Sequence, residues 1–399
     1  MKIAILHDYI GKTAYRLVAE QDYMLIGTEK DVFHLGRLRG RTYQYVQLRI
    51  CDFVWSGMAD YDRKEIAARL DGLRRQTGAQ SVEGVIIYLI MQPVTDELQE
   101  AFAGGTIDEF SIVLTTAGYV PPVHKWLGEY APVLEKLVDL AAFDHEPVQT
   151  DAHSTEYWVR TIQQWEQRRK QELQQVFSYG KPRVTYAILA VIIVIFLAME
   201  ALGGSQNEQV LVAFGAKYNP LILAGEWWRF VTPIFLHIGF MHILFNGVAL
   251  YSLGAMTERL YGSGRFFVIF MLAGISGVVA SFVFSTHMSA GASGALFGLF
   301  GALLYFGMQD RTMYKRVFGS NVLVLLGINL AIGLLSPGLI DNYAHLGGLC
   351  GGFLAAATVG MPGRRAQIGV RIAALTVLVL FLWLGMTSGG APLDAALFR

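Results

Sequence analysis

Apolar positions fall in two regimes along the chain. Up to about residue 150 they come in short runs: β-rich DYMLIGT (22–28), YQYVQLRI (43–50) and EGVIIYLIM (83–91) alternate with helical periodicity in YDRKEIAARLDGLRRQ (61–76). This predicts a soluble N-terminal α+β domain over residues 1–150. Residues 151–183 are charged and Gln-rich, with no Gly or Pro before Phe177. They predict a solvated linking helix that stops at SYGKPR, ahead of the membrane.

From residue 184 the pattern lengthens. A spanning helix needs about 20 mostly apolar residues, at about 1.5 Å each, to cross a core of about 30 Å. Seven stretches approach this, near 185–203, 239–258, 266–286, 292–309, 318–337, 342–361 and 368–387. The expected architecture is therefore an all-α polytopic membrane protein behind the soluble domain. A core is expected over 184–362, with a seventh helix and short external tail over 363–399. Gly and Ser within several stretches would let helix backbones approach closely in a bilayer.

Composition sharpens this division. Of 399 residues 53% are hydrophobic, and charged residues number 46 in 1–183, 13 in 184–363 and 5 thereafter. Basic and acidic residues balance at 32 each, without a long like-charge block, which argues against a nucleic-acid partner. Cys51 and Cys350 lie in different domains, so neither a disulfide framework nor a Cys-based zinc cluster is expected. The N-terminus lacks the long apolar core of a secretory signal, so the soluble domain is expected to begin in the cytoplasm.

Little chemistry stands out in the first half. His7, Asp8, His34, His124, His145 and His153 show no metal-ligand spacing, and Gly104-Gly105 is not followed by the Lys and Ser or Thr of a phosphate loop. The domain reads as regulatory or as the docking point of a protein partner.

Lys and Arg fix the expected orientation, because cytoplasmic loops carry an excess of them. Arg168, Arg169, Lys170, Lys181 and Arg183 precede the first stretch; Arg259 and Arg265 lie between the second and third. Arg311, Lys315 and Arg316 lie between the fourth and fifth, and Arg364, Arg365 and Arg371 between the sixth and seventh. All four groups share one side, which predicts a multi-pass cell-membrane protein with its N-terminus inside and C-terminus outside.

Polar side chains within spans are costly and mark functional candidates. His242 and Asn246 share a face of the second stretch, Ser293 opens the fourth, and His345 lies early in the sixth. All four are expected at one depth, toward the outer face. A serine beside an imidazole is the minimum for nucleophilic catalysis, and His242, Asn246 and the Ser293 amide could donate to the resulting oxyanion. Each residue alone has a plainer reading. Ser293 sits beside the Gly294/Gly298 packing spacing, and His345 could be a buried hydrogen-bonded histidine. A shared depth is not something packing alone requires.

These same residues resemble the rhomboid intramembrane serine proteases. The resemblance covers about 180–362 and rests on EWWRFVTPIFLH (226–237), HILFN (242–246), GAMTERLYGSGRF (254–266), GASG (291–294) and AHLGGLCGG (344–352), in order. It implies a six-helix rhomboid core, with Ser293 as nucleophile, His345 as general base, and His242, Asn246 and the Ser293 amide as the oxyanion site. Gly291 and Gly294 belong to the GASG motif, while Gly348 and Gly352 match glycines that let the sixth helix approach the fourth. Phe297 matches an aromatic expected against the catalytic imidazole, and Arg229 and Glu258 match structural positions. The seventh stretch and soluble domain resemble the Firmicute-type form. No metal or cofactor is implied, and the expected partners are transmembrane protein substrates within the lipid bilayer. Two other classes compete: a non-catalytic rhomboid-like client binder, which would need neither Ser293 nor His345, and a transporter, for which a midplane site and inverted repeat would be expected.

Overall fold

The computed structural model describes residues 2–29, 31–51, 55–90, 110–116, 137–143, 152–336, 340–364 and 367–389. Gly104, Gly105, His124, His145, Arg365, residues 337–339 of the fifth-to-sixth loop and residues 390–399 of the tail lie outside them. The chain forms two compact units, Met1–Gln171 and Glu172–Arg399.

The first unit is a five-stranded sheet with helices. Helix α1 (Lys2–Gln21) precedes β1 (Met24–Glu29), β2 (Val32–Arg39) and β3 (Thr42–Cys51), then come α2 (Ser56–Thr77), β4 (Ser81–Ile90) and β5 (Phe110–Thr116). Strand order is sequential; β1, β2 and β3 pair antiparallel, and β3, β4 and β5 pair parallel. Parallel pairing of β3 with β4 needs a crossover, and α2 supplies it. One sheet face, with Phe33, Leu35, Val46, Leu48, Val85 and Ile87, buries against Leu6, Ile10, Ala14, Leu17 and Val18 of α1. Those α1 residues recur at helical spacing, which the short apolar run at the N-terminus conceals.

The charged helix α3 (Thr155–Val176) differs from the solvated link expected of it. Ile162 is fully buried in the sheet-domain core, with Trp158, Val159 and Trp165 packed beside it. A Cβ on Gly11 would collide with the Trp158 ring, so α1 needs glycine where α3 crosses it. Trp158 also donates from Nε1 to buried Asp8 at 3.0 Å, and Glu166 accepts from the Leu25 amide at 3.1 Å. Its narrow apolar stripe is masked by charges on the other faces.

Within the second unit, four helices are long and apolar enough to cross a membrane among the described residues: Arg183–Ala201, Phe240–Tyr261, Ser263–Phe284 and Ile368–Thr387. Arg311–Phe318 and Asn321–Leu335 count as a fifth span if taken together across their 71° bend. The remaining two expected stretches are Ser293–Gln309, at 17 residues, and Asn342–Val359, which carries a histidine and four glycines. Both lie at the centre of the bundle, packed on Ser263–Phe284 and on each other. A helix lined by protein has less need of an apolar surface than one facing lipid. Among the described residues the chain thus joins a small sheet domain to a largely helical unit with several apolar spans.

Candidate active site

The site begins at the close approach of those two central helices. A Cβ on Gly348 would strike the Gly294 carbonyl oxygen, and one on Gly352 the Gly298 carbonyl oxygen. Contact between backbones brings together side chains from the first turns of both helices. Ser293 is the first residue of its helix and His345 the fourth of its own. Ser293 Oγ lies 2.9 Å from His345 Nε2. Phe297, one turn after Ser293, stacks on the imidazole with ring centroids 4.0 Å apart and planes 14° from parallel.

His345 is 7% exposed, and its Nδ1 has no hydrogen-bond partner among the described residues. Asp341 is not the free loop carboxylate its position suggests. It caps the His345 helix by accepting from the Ala344 amide at 3.0 Å, and it accepts from Ser281 Oγ at 2.5 Å. The helix start is thereby tied to Ser263–Phe284 behind it. The signal was present as Asp three residues ahead of the capped amide, a common N-cap arrangement.

His242 and Asn246 occupy the first turns of Phe240–Tyr261. The Ile238 amide donates to His242 Nδ1 at 3.3 Å, so in the neutral ring the proton sits on Nε2. That edge faces Gly291, where a Cβ would lie 2.9 Å from Nε2; φ of +142° also favours glycine there. Asn246 donates from Nδ2 to the His242 carbonyl at 3.0 Å, leaving its second N–H for another acceptor. The Ser293 amide is the first of its helix, among those with no partner inside it.

Three further residues hold the connection that runs from the end of Ser263–Phe284 to Ser293. His237, fully buried, accepts from the Ala292 amide at Nε2 (3.4 Å). Burial, reinforced by His242, pushes its pKa down to about 3, so the ring is neutral and can accept. Lys217 donates to the carbonyls of Ser285 and His287 at 2.6 and 2.8 Å, and Asn219 donates to those of Phe282 and Ser285. Burial lowers Lys217 to about 8 against the opposing pull of Asp341. The lone lysine in a loop poor in cations was the only sequence signal for this clamp.

Arg229 and Glu258 lie elsewhere. Arg229 pairs with Glu226 at 2.6 Å and donates to the Val212 and Ala216 carbonyls, stapling the first loop. Glu258 accepts from the Val184 and Thr185 amides and from the Thr185 and Ser263 hydroxyls, joining the starts of two helices to the end of a third. Among the described residues no three His, Cys, Asp or Glu side chains converge as a metal site.

Comparison with known proteins finds a family model and several relatives that match this chain. Residues 224–362 match the Rhomboid domain model. The rhomboid protease GluP of Bacillus subtilis (strain 168) is 40% identical over 337 residues, covering 82% of this chain and 64% of that protein's own length. The putative rhomboid protease YdcA of the same organism is 37% identical over 139 residues, 34% of this chain and 69% of YdcA. RHOMBOID-like protein 9, chloroplastic, of Arabidopsis thaliana is 38% identical over 146 residues, 35% of this chain and 33% of that protein. With a rhomboid relative matched over more than two thirds of its length, and the matched segment containing both central helices, the chain belongs to the rhomboid family.

Proposed function

We propose that the chain is an intramembrane serine endopeptidase that cleaves transmembrane-helix substrates near the outer membrane face, using Ser293 and His345 as a dyad. The observation that carries this reading is the 2.9 Å contact between Ser293 Oγ and His345 Nε2 under the Phe297 ring. His345 takes the hydroxyl proton as Oγ attacks the scissile carbonyl and returns it to the leaving amine; water then releases the acyl group. The oxyanion accepts from the Ser293 amide, His242 Nε2 and the second Asn246 N–H. No metal or cofactor takes part.

A helical substrate hides its carbonyls in its own hydrogen bonds, so it must unwind locally before attack, and helix-breaking residues lower that cost. The N-terminus is cytoplasmic and the C-terminus external, following the Lys and Arg distribution. Substrate enters beside the Asn321–Leu335 helix, and the N-terminal domain regulates the core or binds a partner. A labelled single-span substrate reconstituted with Ser293→Ala should remain intact where wild type cuts it; undiminished cleavage by the variant would remove the assignment.

A further inference from the structure

A second polar site lies at the other end of the bundle, where two spans begin and a third ends. A cavity of about 670 Å³ is lined there by Tyr179, Ser263, Arg265, Thr358, Val359 and Arg371, among others, and by no carboxylate among its described residues. Arg265 comes from the first turn of Ser263–Phe284 and Arg371 from that of Ile368–Thr387. The last two carbonyls of Asn342–Val359 hold both guanidiniums by the same edge: Arg371 Nε donates to Thr358 at 2.8 Å and Arg265 Nε to Val359 at 3.4 Å. The Nη groups of both have no hydrogen-bond partner among the described residues. Neighbouring Arg364, by contrast, is already paired with Asp310 and the Gln309 carbonyl.

Two full positive charges thus share one cavity, each restrained by a neutral carbonyl and neither ion-paired with an acid among the described residues. An oxyanion offering several acceptor atoms fits them, because the planar guanidinium fork matches phosphate oxygens in pairs. The walls are membrane-spanning helices at their ends, which is where headgroups lie. We propose that this cavity binds the phosphate of an anionic phospholipid headgroup and through it fastens the Ile368–Thr387 helix to the core. Free phosphate shares the chemistry, but it lacks acyl chains to lie along the spans.

The test is native mass spectrometry of the delipidated full-length protein titrated with phosphatidylglycerol, with phosphatidylcholine and inorganic phosphate as separate arms. Arg265→Gln/Arg371→Gln should weaken phosphatidylglycerol binding at least about tenfold and leave phosphatidylcholine unaffected. Lys315→Gln/Arg316→Gln, removing two cations elsewhere on the same side, should stay within about twofold of wild type. Should the double glutamine variant not fold, the single variants Arg265→Lys and Arg371→Lys, which keep the charge and lose the fork, should each weaken binding about threefold. Unchanged binding in the arginine variants, or equal weakening in the Lys315/Arg316 variant, overturns the proposal. Displacement of phosphatidylglycerol by millimolar inorganic phosphate assigns the cavity to a free anion and overturns the lipid source.

Discussion

In the proposed reaction Ser293 gains its reactivity only from what surrounds it: an imidazole at hydrogen-bond distance, donors facing the place where charge would develop, and a turn held still beneath it. Removing one donor from such a site commonly costs about 10²–10³ in kcat. His242→Ala and Asn246→Ala are each expected to lose activity in that range, with little change in apparent substrate binding, measured as initial rates on a reconstituted transmembrane substrate. A change confined to KM would instead assign these residues to substrate docking. At this scale the sequence was informative where residue type carried chemistry. Ser293, His242 and His345 are polar groups early in apolar segments, where such side chains are costly and so mark candidates. It was uninformative for His237, whose contact with Ala292 joins loop positions 55 apart on either side of two helices.

Elements place these side chains through backbone contact. Even alanine at 348 would drive a methyl into the Gly294 carbonyl, so Gly348→Ala should separate the helices, lower stability by about 1–3 kcal/mol and reduce turnover together. Thermal unfolding in detergent beside an activity assay checks both. Asp341→Ala removes a helix cap worth about 0.5–2 kcal/mol and the tie to Ser281, so it should lower both stability and activity; Asp341→Asn, which can still accept, should restore most of the loss. Long elements were the most legible. Stretches of about 20 apolar residues announced four spans directly; Ser293–Gln309 is as apolar but stops at 17 residues, and Asn342–Val359 carries His345 and four glycines where protein lines it. Helix α3 reads as solvated in the sequence because only Ile162 is fully buried, with Trp158 and Trp165 partly buried beside it, and its other faces are charged. Strand β2 is hard to read in the sequence because Gly36 and two cations, Arg37 and Arg39, break up its apolar pattern.

At the scale of the whole molecule the sheet domain carries its own pH dependence. His34 is buried, with Nδ1 2.6 Å from the Tyr45 hydroxyl and Arg69 3.0 Å from Nε2. Burial, then Arg69, pushes its pKa from 6.5 to about 4, with Glu29 opposing. A base depressed in the folded state contributes its full stability above pH 6.5 and loses it as pH falls toward 4, by roughly 1–3 kcal/mol after allowing for solvent near Glu29. Thermal unfolding of residues 1–171 should show that slope, and His34→Gln should flatten it. Charge distribution made the division into two units legible, but not the boundary, because α3 packs on the sheet domain well past residue 150.

The central claim is that Ser293 is activated by His345. A fluorophosphonate probe applied to the purified full-length protein, followed by peptide mapping, tests it most directly. A single adduct is expected on Ser293, abolished in His345→Ala while the variant keeps the wild-type unfolding profile. Labelling of a different serine, or undiminished labelling of Ser293 without the imidazole, would contradict it.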